Sequence, residues 1–469
     1  MSEDQPRNRG RSMVESARLA LTLIALLLVV SPSLVTAADP PATNAPFEIA
    51  LIAPSGDRAI DREIIRWQTE VARESAPVAA LSRLGFSFVQ KGKETHDPGQ
   101  FTLARVCAEE IERRDAGNLD GLLLTAHVLQ NLHEFAASEK IARRLVSARG
   151  SALDHGVLGD ACLEQGKLDA ATTAYQAMAD RRPGPAAYNR IAHLRWLRGD
   201  AQGAAELFAR ALRSMSAQDT LGLSYTRTQL ARAVVGLGHP EIAKKLLDHE
   251  LSARSKSGPK TATQADSNPA ALLLAGLIEF DGDREGAAEK LRAAALSCSL
   301  PEFLWGASDA ARAVGDLAGA KVWDERLLAR GAIDDPRTTA LFLATRGIDV
   351  DRAVELAKAE LETRKDVHSY DALAWALFAS GDVAGAREPM SLALREDTPD
   401  PRILLHGAAI AHAAGIESEA QALSARAHSQ ATLLFPSERA LLESLIETLD
   451  RDAAPPRTGG GSATKAERP

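Results

Sequence analysis

Aromatic residues are scarce: Phe, Trp and Tyr make up 4% of the 469 residues, while Ala and Leu are abundant. That balance favours closely packed helices over sheets, which draw on β-branched and aromatic side chains. Cysteine is scarcer still. Cys107, Cys162 and Cys298 are odd in number and widely spaced, matching neither a disulfide framework nor a zinc pattern, so buried unpaired thiols are expected. Positive charge is not in excess either. The formal net charge is -8 and no strongly basic block lies in the folded region, which argues against a nonspecific nucleic-acid binder.

Catalytic and metal motifs are missing as well. There is no H-E-x-x-H, no G-x-S-x-G and no G-x-x-x-x-G-K-[ST], and no two histidines stand four residues apart on a helical face. The sequence predicts no enzyme, no cofactor and no metal.

The longest apolar run, LALTLIALLLVV from Leu19 to Val30, has 12 residues. It falls short of the roughly 18 to 20 that a membrane span needs. Arg7, Arg9, Arg11 and Arg18 precede it and Val35-Thr36-Ala37 closes the segment, the pattern of a secretory signal peptide cut after Ala37. The expectation is an exported chain, periplasmic or extracellular. The alternative is an uncleaved N-terminal helix anchoring it to the inner membrane, the one case in which a membrane is a partner.

What the chain does have is a period. LRGDAQGAAELFARAL (Leu197 to Leu212), FDGDREGAAEKLRAAAL (Phe280 to Leu296), AVGDLAGAKVWDERLL (Ala313 to Leu328) and ASGDVAGAREPMSLAL (Ala379 to Leu394) share a Gly-Asp turn with alanine five residues beyond the glycine. The small position can be followed through Ala104, Ser138, Ala171, Ala204, Ala243, Ala287, Ala320, Ala353, Ala386 and Ala420, at spacings of 34, 33, 33, 39, 44, 33, 33, 33 and 34. Apolar residues recur at helical spacing on both sides of each turn, so the unit is a helix-turn-helix hairpin. Glycine ends the first helix in a left-handed conformation, Asp caps the second, and alanine lets the two approach closely.

The chain resembles the tetratricopeptide repeat family, and more narrowly exported bacterial members of undefined role that carry a segment similar to Ser369–Leu394. Leu158-Gly159-x2-Cys162 with Ala171, Tyr175 and Pro183 follows the family order, as does Leu84-Gly85-x2-Phe88; Cys162 stands where an aromatic is usual. The resemblance implies an all-α, right-handed superhelical solenoid of about ten hairpins, with first helices lining a concave surface.

The organisation expected is a signal peptide (1–37), a Pro-rich linker (38–59), a leading helix (60–77), repeats one to five (78–251), a flexible insertion (252–268), repeats six to ten (269–430), a capping helix (431–450) and a disordered tail (451–469). A further insertion, KGKETHDPGQ, is expected between the helices of the first repeat.

Function is expected on the concave side: a noncatalytic scaffold binding a protein or peptide of unknown identity, and no nucleic acid. Registering the units on their turns places Asn189, His193 and Trp196 inward, with Arg190 adjacent, Gln229 and Arg232 in repeat five, Asp160 and Glu164 in repeat three, and His127 and Gln130 in repeat two. Polar side chains beside a tryptophan suit an extended peptide, held by hydrogen bonds and one apolar anchor. Trp305 and Trp375 also fall on first helices, as groove extensions or as packing. The alternatives are a membrane-tethered assembly factor and an accessory subunit of an envelope enzyme.

Overall fold

The computed structural model describes residues 45–73, 77–257 and 268–453, with backbone alone at 45, 46 and 253–257. The expected signal peptide, most of the insertion and nearly all of the tail lie outside those residues. Two units are distinguished, 1–48 and 49–469, and the second holds the repeats.

The described residues form helices and no strand. A short helix α1 (Ala45–Ala50) falls within the segment expected to be an extended linker, and α2 (Ala59–Val71) is the leading helix. Hairpins then follow: α3 (Val78–Thr95) with α4 (Gly99–Arg114), α5 (Leu119–Asn131) with α6 (Phe135–Ala148), and α7 (Ala152–Glu164) with α8 (Leu168–Arg181). Next come α9 (Pro185–Leu197) with α10 (Ala201–Ser214), α11 (Thr220–Gly236) with α12 (Pro240–Ser257), and α13 (Pro269–Glu279) with α14 (Arg284–Ser297). The last four are α15 (Pro301–Ala313) with α16 (Leu317–Asp334), α17 (Pro336–Arg346) with α18 (Val350–Thr363), α19 (Val367–Ala379) with α20 (Val383–Leu394), and α21 (Pro401–Ala413) with α22 (Glu417–His428). A 3-10 turn (Ala431–Leu433) leads into α23 (Pro436–Ala453).

All ten small positions of the period lie on second helices and have no exposed surface. Ser138 is the polar member, and its hydroxyl donates to the Ala126 carbonyl at 3.0 Å on the facing helix. The Gly-Asp turns work as their chemistry requires. Asp200, Asp283, Asp316 and Asp382 accept from the amides of Gly203, Gly286, Gly319 and Gly385 at 2.7 to 2.9 Å, each cap adding about 1 kcal/mol. A Cβ on any of these four glycines would stand 2.1 to 2.3 Å from its own capping carboxylate, so the run Asp-x-x-Gly is one device. At Gly159 a Cβ would lie 2.3 Å from the Tyr175 ring, which explains the glycine of the Leu158-Gly159 signature.

Within the array one expectation changes. In the first repeat α3 continues through Thr95, so the KGKETHDPGQ stretch is chiefly helix and only 96–98 join it to α4. The long spacings come partly from long helices, α11 with 17 residues and α12 with 18. The three thiols are free and buried; burial raises all of them, Cys162 and Cys298 to about 11.

The superhelix is tight enough for its turns to touch. Repeats two to four meet the loops ahead of repeats nine and ten. The Lys365 amide donates to the Glu164 carbonyl at 3.1 Å, the Thr398 hydroxyl to the Leu197 carbonyl, and Arg364 stacks over Phe135 at 5.1 Å. Further along, the Arg439 guanidinium on α23 donates to the carbonyls of Leu277 and Thr432, both at 2.7 Å, tying the end of the array to repeat six.

Candidate functional site

The first helices α5, α7, α9 and α11 bring the inward-registered residues into one electrostatic neighbourhood. At its centre the Arg190 guanidinium grips Asp160 with both arms, Nε and a terminal nitrogen each 2.8 Å from a carboxylate oxygen. The Tyr175 hydroxyl donates to the same carboxylate at 2.9 Å. Burial opposes the charge on Asp160, but Arg190 and the Tyr175 hydrogen bond outweigh it and hold the carboxyl below its ordinary range. Burial and Asp160 together push the Tyr175 phenol well up.

His127 lies on this wall with its pKa depressed to about 4, first by burial and then by Lys93. His193 is depressed to about 4 as well, by burial and then by His368 and Arg232. Tyr225 keeps 47% of its surface exposed, and Arg232 and Lys93 are exposed too. Yet burial raises the Tyr225 phenol and lowers the Lys93 ammonium. Water-accessible side chains with protein close on several sides describe a narrow wetted lumen. Neither Lys93 nor Arg232 has an ion-pair partner within 4.0 Å among the described residues.

Other inward-registered residues are used in packing. Gln130 donates to the Val157 carbonyl at 2.7 Å, and Asn189 to the Thr226 hydroxyl at 2.8 Å, leaving its buried Oδ1 without a partner. Gln229 is half-buried. Glu164 faces the next superhelical turn, where Arg364 meets it at 2.7 Å; burial, outweighing Arg364, raises its carboxyl. Trp196 is 8% exposed and packs in a buried apolar cluster with Leu194 and Leu197, the rings of His193 and His368 lying nearly parallel to it at centroid distances of 6.3 and 6.2 Å. As an anchor it is closed in this conformation, and Tyr225 is the aromatic open to the lumen.

Trp305 and Trp375 pack. Trp305 has no exposed surface and meets Phe342 and Phe435 edge-on, while Trp375 stacks on His406 at 4.1 Å. Sequence registration missed Lys93, Tyr175 and Tyr225, and the whole second-turn contribution of Arg337, Asp366, His368 and Asp400. Tyr225 sits in a helix longer than its repeat requires, where the register slips. The second-turn residues are brought in by superhelical pitch, which no period reports.

Ten hairpins repeat at the period of the buried small position, and four of them pair a glycine turn with an aspartate cap on the second helix. The fold is a tetratricopeptide-like repeat solenoid. No family model matches the chain, and no curated protein matches it in sequence. Among solved structures this solenoid is similar to a Rap protein complexed with competence and sporulation factor, at 13% identity over 80% of this chain and 99% of that one, with a TM-score of 0.47. It is also similar to a human IFIT1 dimer with PPP-AAAA (10% identity, 81% and 96% covered, TM-score 0.43) and to a tetratricopeptide repeat protein from Parabacteroides merdae (16%, 56% and 97%, 0.31). At these values the likeness bears on nothing beyond hairpin repetition, and the repeat assignment stands on the chain's own helices.

Proposed function

We propose that the solenoid is a noncatalytic scaffold that binds an extended peptide segment of a protein partner inside the lumen of repeats two to five. One observation carries the reading. Tyr225 and the unpaired cations Arg232 and Lys93 are exposed in a lumen whose central Asp160–Arg190 pair is already fixed by Tyr175. A peptide there would meet an aromatic contact and charged donors on helices that need no rearrangement, and preorganisation of that kind lowers the cost of binding. The N-terminal pattern ending at Ala37 supports export as the setting, and mass spectrometry of the mature N-terminus reads that directly.

The binding test is site-specific photocrosslinking in intact cells from position 225, with position 358 on the second helix α18 as the comparison. The expected outcome is a discrete protein captured at 225, absent at 358, and lost when Arg232→Ala and Lys93→Ala are combined. Equal capture from both positions would refute the lumen.

A further inference from the structure

The lumen is wet at one end and dry at the other. In repeat five Tyr225 keeps 47% of its surface and Arg232 is exposed, whereas in repeat seven Trp305 has no exposed surface and Asp309 has 2%. The chain's own C-terminal segment fills the dry end. Arg439 donates to the Leu277 carbonyl of repeat six, the Ser437 amide donates to Asp309 of repeat seven at 2.8 Å, and Glu438 pairs with Arg402 of repeat ten. Phe435, 1% exposed, stands edge-on to Trp305 at 4.9 Å. A segment bonded at once to the first helices of repeats six, seven and ten crosses the lumen and closes it.

The side of the lumen is closed as well. Phe135 of repeat two, Glu164 of repeat three and Leu197 of repeat four each meet the next superhelical turn, and Gly236 of repeat five approaches Gln430. One buried apolar cluster joins Trp196, Leu197 and Val234 to Val367, Ile403 and Ile410 across this seam. Contact at the turns is tight: a Cβ at Gly166 would stand 2.3 Å from the Lys365 carbonyl oxygen. A wall sealed in this way offers no slot into which a chain could be laid sideways. Among the described residues this leaves the end bordered by repeat one, where Lys93 is exposed.

We infer that the lumen is a blind socket with one mouth, and that it accepts a free end of the partner's chain rather than an internal stretch. An internal stretch reaches Tyr225 only by doubling back, which puts two strands through one mouth; a free end enters as a single strand. The socket stands on the seam and the C-terminal plug. That a chain end fills it rests on the peptide-binding reading above.

Linear polyethylene glycol carrying a maleimide at one end, compared with the same polymer carrying it at mid-chain, reads the socket through Tyr225→Cys in the full chain. The native thiols are buried and do not compete. A slot in the side would admit the mid-chain reagent, and a second mouth would let it thread. The expected mid-chain rate at 225 is about tenfold below the end rate, or about 1.4 kcal/mol of added barrier. At Lys358→Cys, exposed on α18, the two rates are expected to be equal. Arg232→Cys, exposed in the same lumen, gives the reading again should Tyr225→Cys fail to fold. The same ratio at 225 and 358, or no reaction of either reagent at 225, would overturn the socket.

The chain end is read by mass spectrometry of the partner residue photocrosslinked to position 225. Attachment within the partner's first or last few residues is expected, and the fragment tells the two termini apart. Attachment in an internal stretch would overturn the chain-end assignment. The rate comparison uses no peptide, so absence of any capture refutes the binding reading, and the chain-end assignment with it, while the socket stands.

Discussion

Gly166 and Gly315 occupy the same place in their repeats, five residues before a fully buried alanine and both in the left-handed conformation. One is pressed against another turn of the superhelix; the other faces open space. The local signal is identical and the tertiary role is opposite. A repeat period therefore specifies how each unit folds and meets its neighbours, while pitch decides which turns also carry the seam between distant units.

The largest expected effect separates the first superhelical turn from the second by pH. His127, His133 and His193 all sit in repeats two to four, each with a pKa near 4 against an ordinary 6.5, and burial is the first cause in every case. The groups facing them are Lys93, Asp160 and Arg190 at His127; Arg364, Asp335 and Arg337 at His133; and His368, Arg232, Asp366 and Asp160 at His193. A depressed histidine stabilises the fold fully above pH 6.5, and that stability drains away as pH falls toward 4. Glu164, Glu360 and Asp309, raised by burial, act in the opposite sense: the native state takes up their protons first, and they gain stability as pH falls. Hydrogen exchange at pH 7 and pH 5 is expected to show protection lost earlier in α5 and α9 than in α15 and α17. Uniform loss would mean that the first turn is not the acid-sensitive one.

Next in size are the ladder residues. Ala204→Leu and Ala386→Leu overfill fully buried positions and are each expected to cost about 1 to 3 kcal/mol in urea denaturation. The two residues lie five repeats apart, where a simple linear array would give additive losses. Repeats four and nine meet across the seam, so the double variant is expected to depart from additivity by about 0.5 kcal/mol or more. Strict additivity would show the turns to be energetically independent.

The hairpins themselves were legible from the sequence because period, glycine turns, aspartate caps and small positions all express local geometry. The inner face was legible in part. Asp160, Arg190, His127 and Arg232 follow from helical register, but Trp196 does not stand open, because it packs in a buried apolar cluster that Val367 and Ile403 of distant repeats also join. Register also cannot tell a side chain that faces a lumen from one bonded to the adjacent unit, as Gln130 and Asn189 are. Cys162, which stands where tetratricopeptide repeats usually carry an aromatic, is a buried thiol raised by burial to about 11, so it stays protonated at neutral pH.

A smaller effect distinguishes Gly199→Ala from Gly381→Ala. Both substitutions place a side chain in the left-handed region, a common cost of roughly 1 to 2 kcal/mol. At Gly381 nothing lies within 4 Å, whereas at Gly199 the new methyl meets the Asp397 carbonyl. The Gly199 variant is expected to melt lower, and equal melting temperatures would place the seam further apart than it stands here.

The smallest effect tests the device that both turns share. Asp200→Ala removes a cap and is expected to cost about 1 kcal/mol, as is Asp382→Ala in the other turn. Gly203→Ala alone should also destabilise, because its Cβ would stand 2.3 Å from the Asp200 carboxylate. The Arg195 guanidinium also reaches within 2.3 Å of that position, where it pairs with Asp200; once Asp200 is alanine the carboxylate is gone and the half-exposed arginine is free to swing away, so the helix preference for alanine over glycine, about 0.5 to 1 kcal/mol, decides the sign. Gly203→Ala is therefore expected to change sign, destabilising in the parent and stabilising in the Asp200→Ala background, as read by thermal denaturation of the four proteins in the cycle. A glycine whose effect is the same in both backgrounds would be serving the backbone rather than the cap.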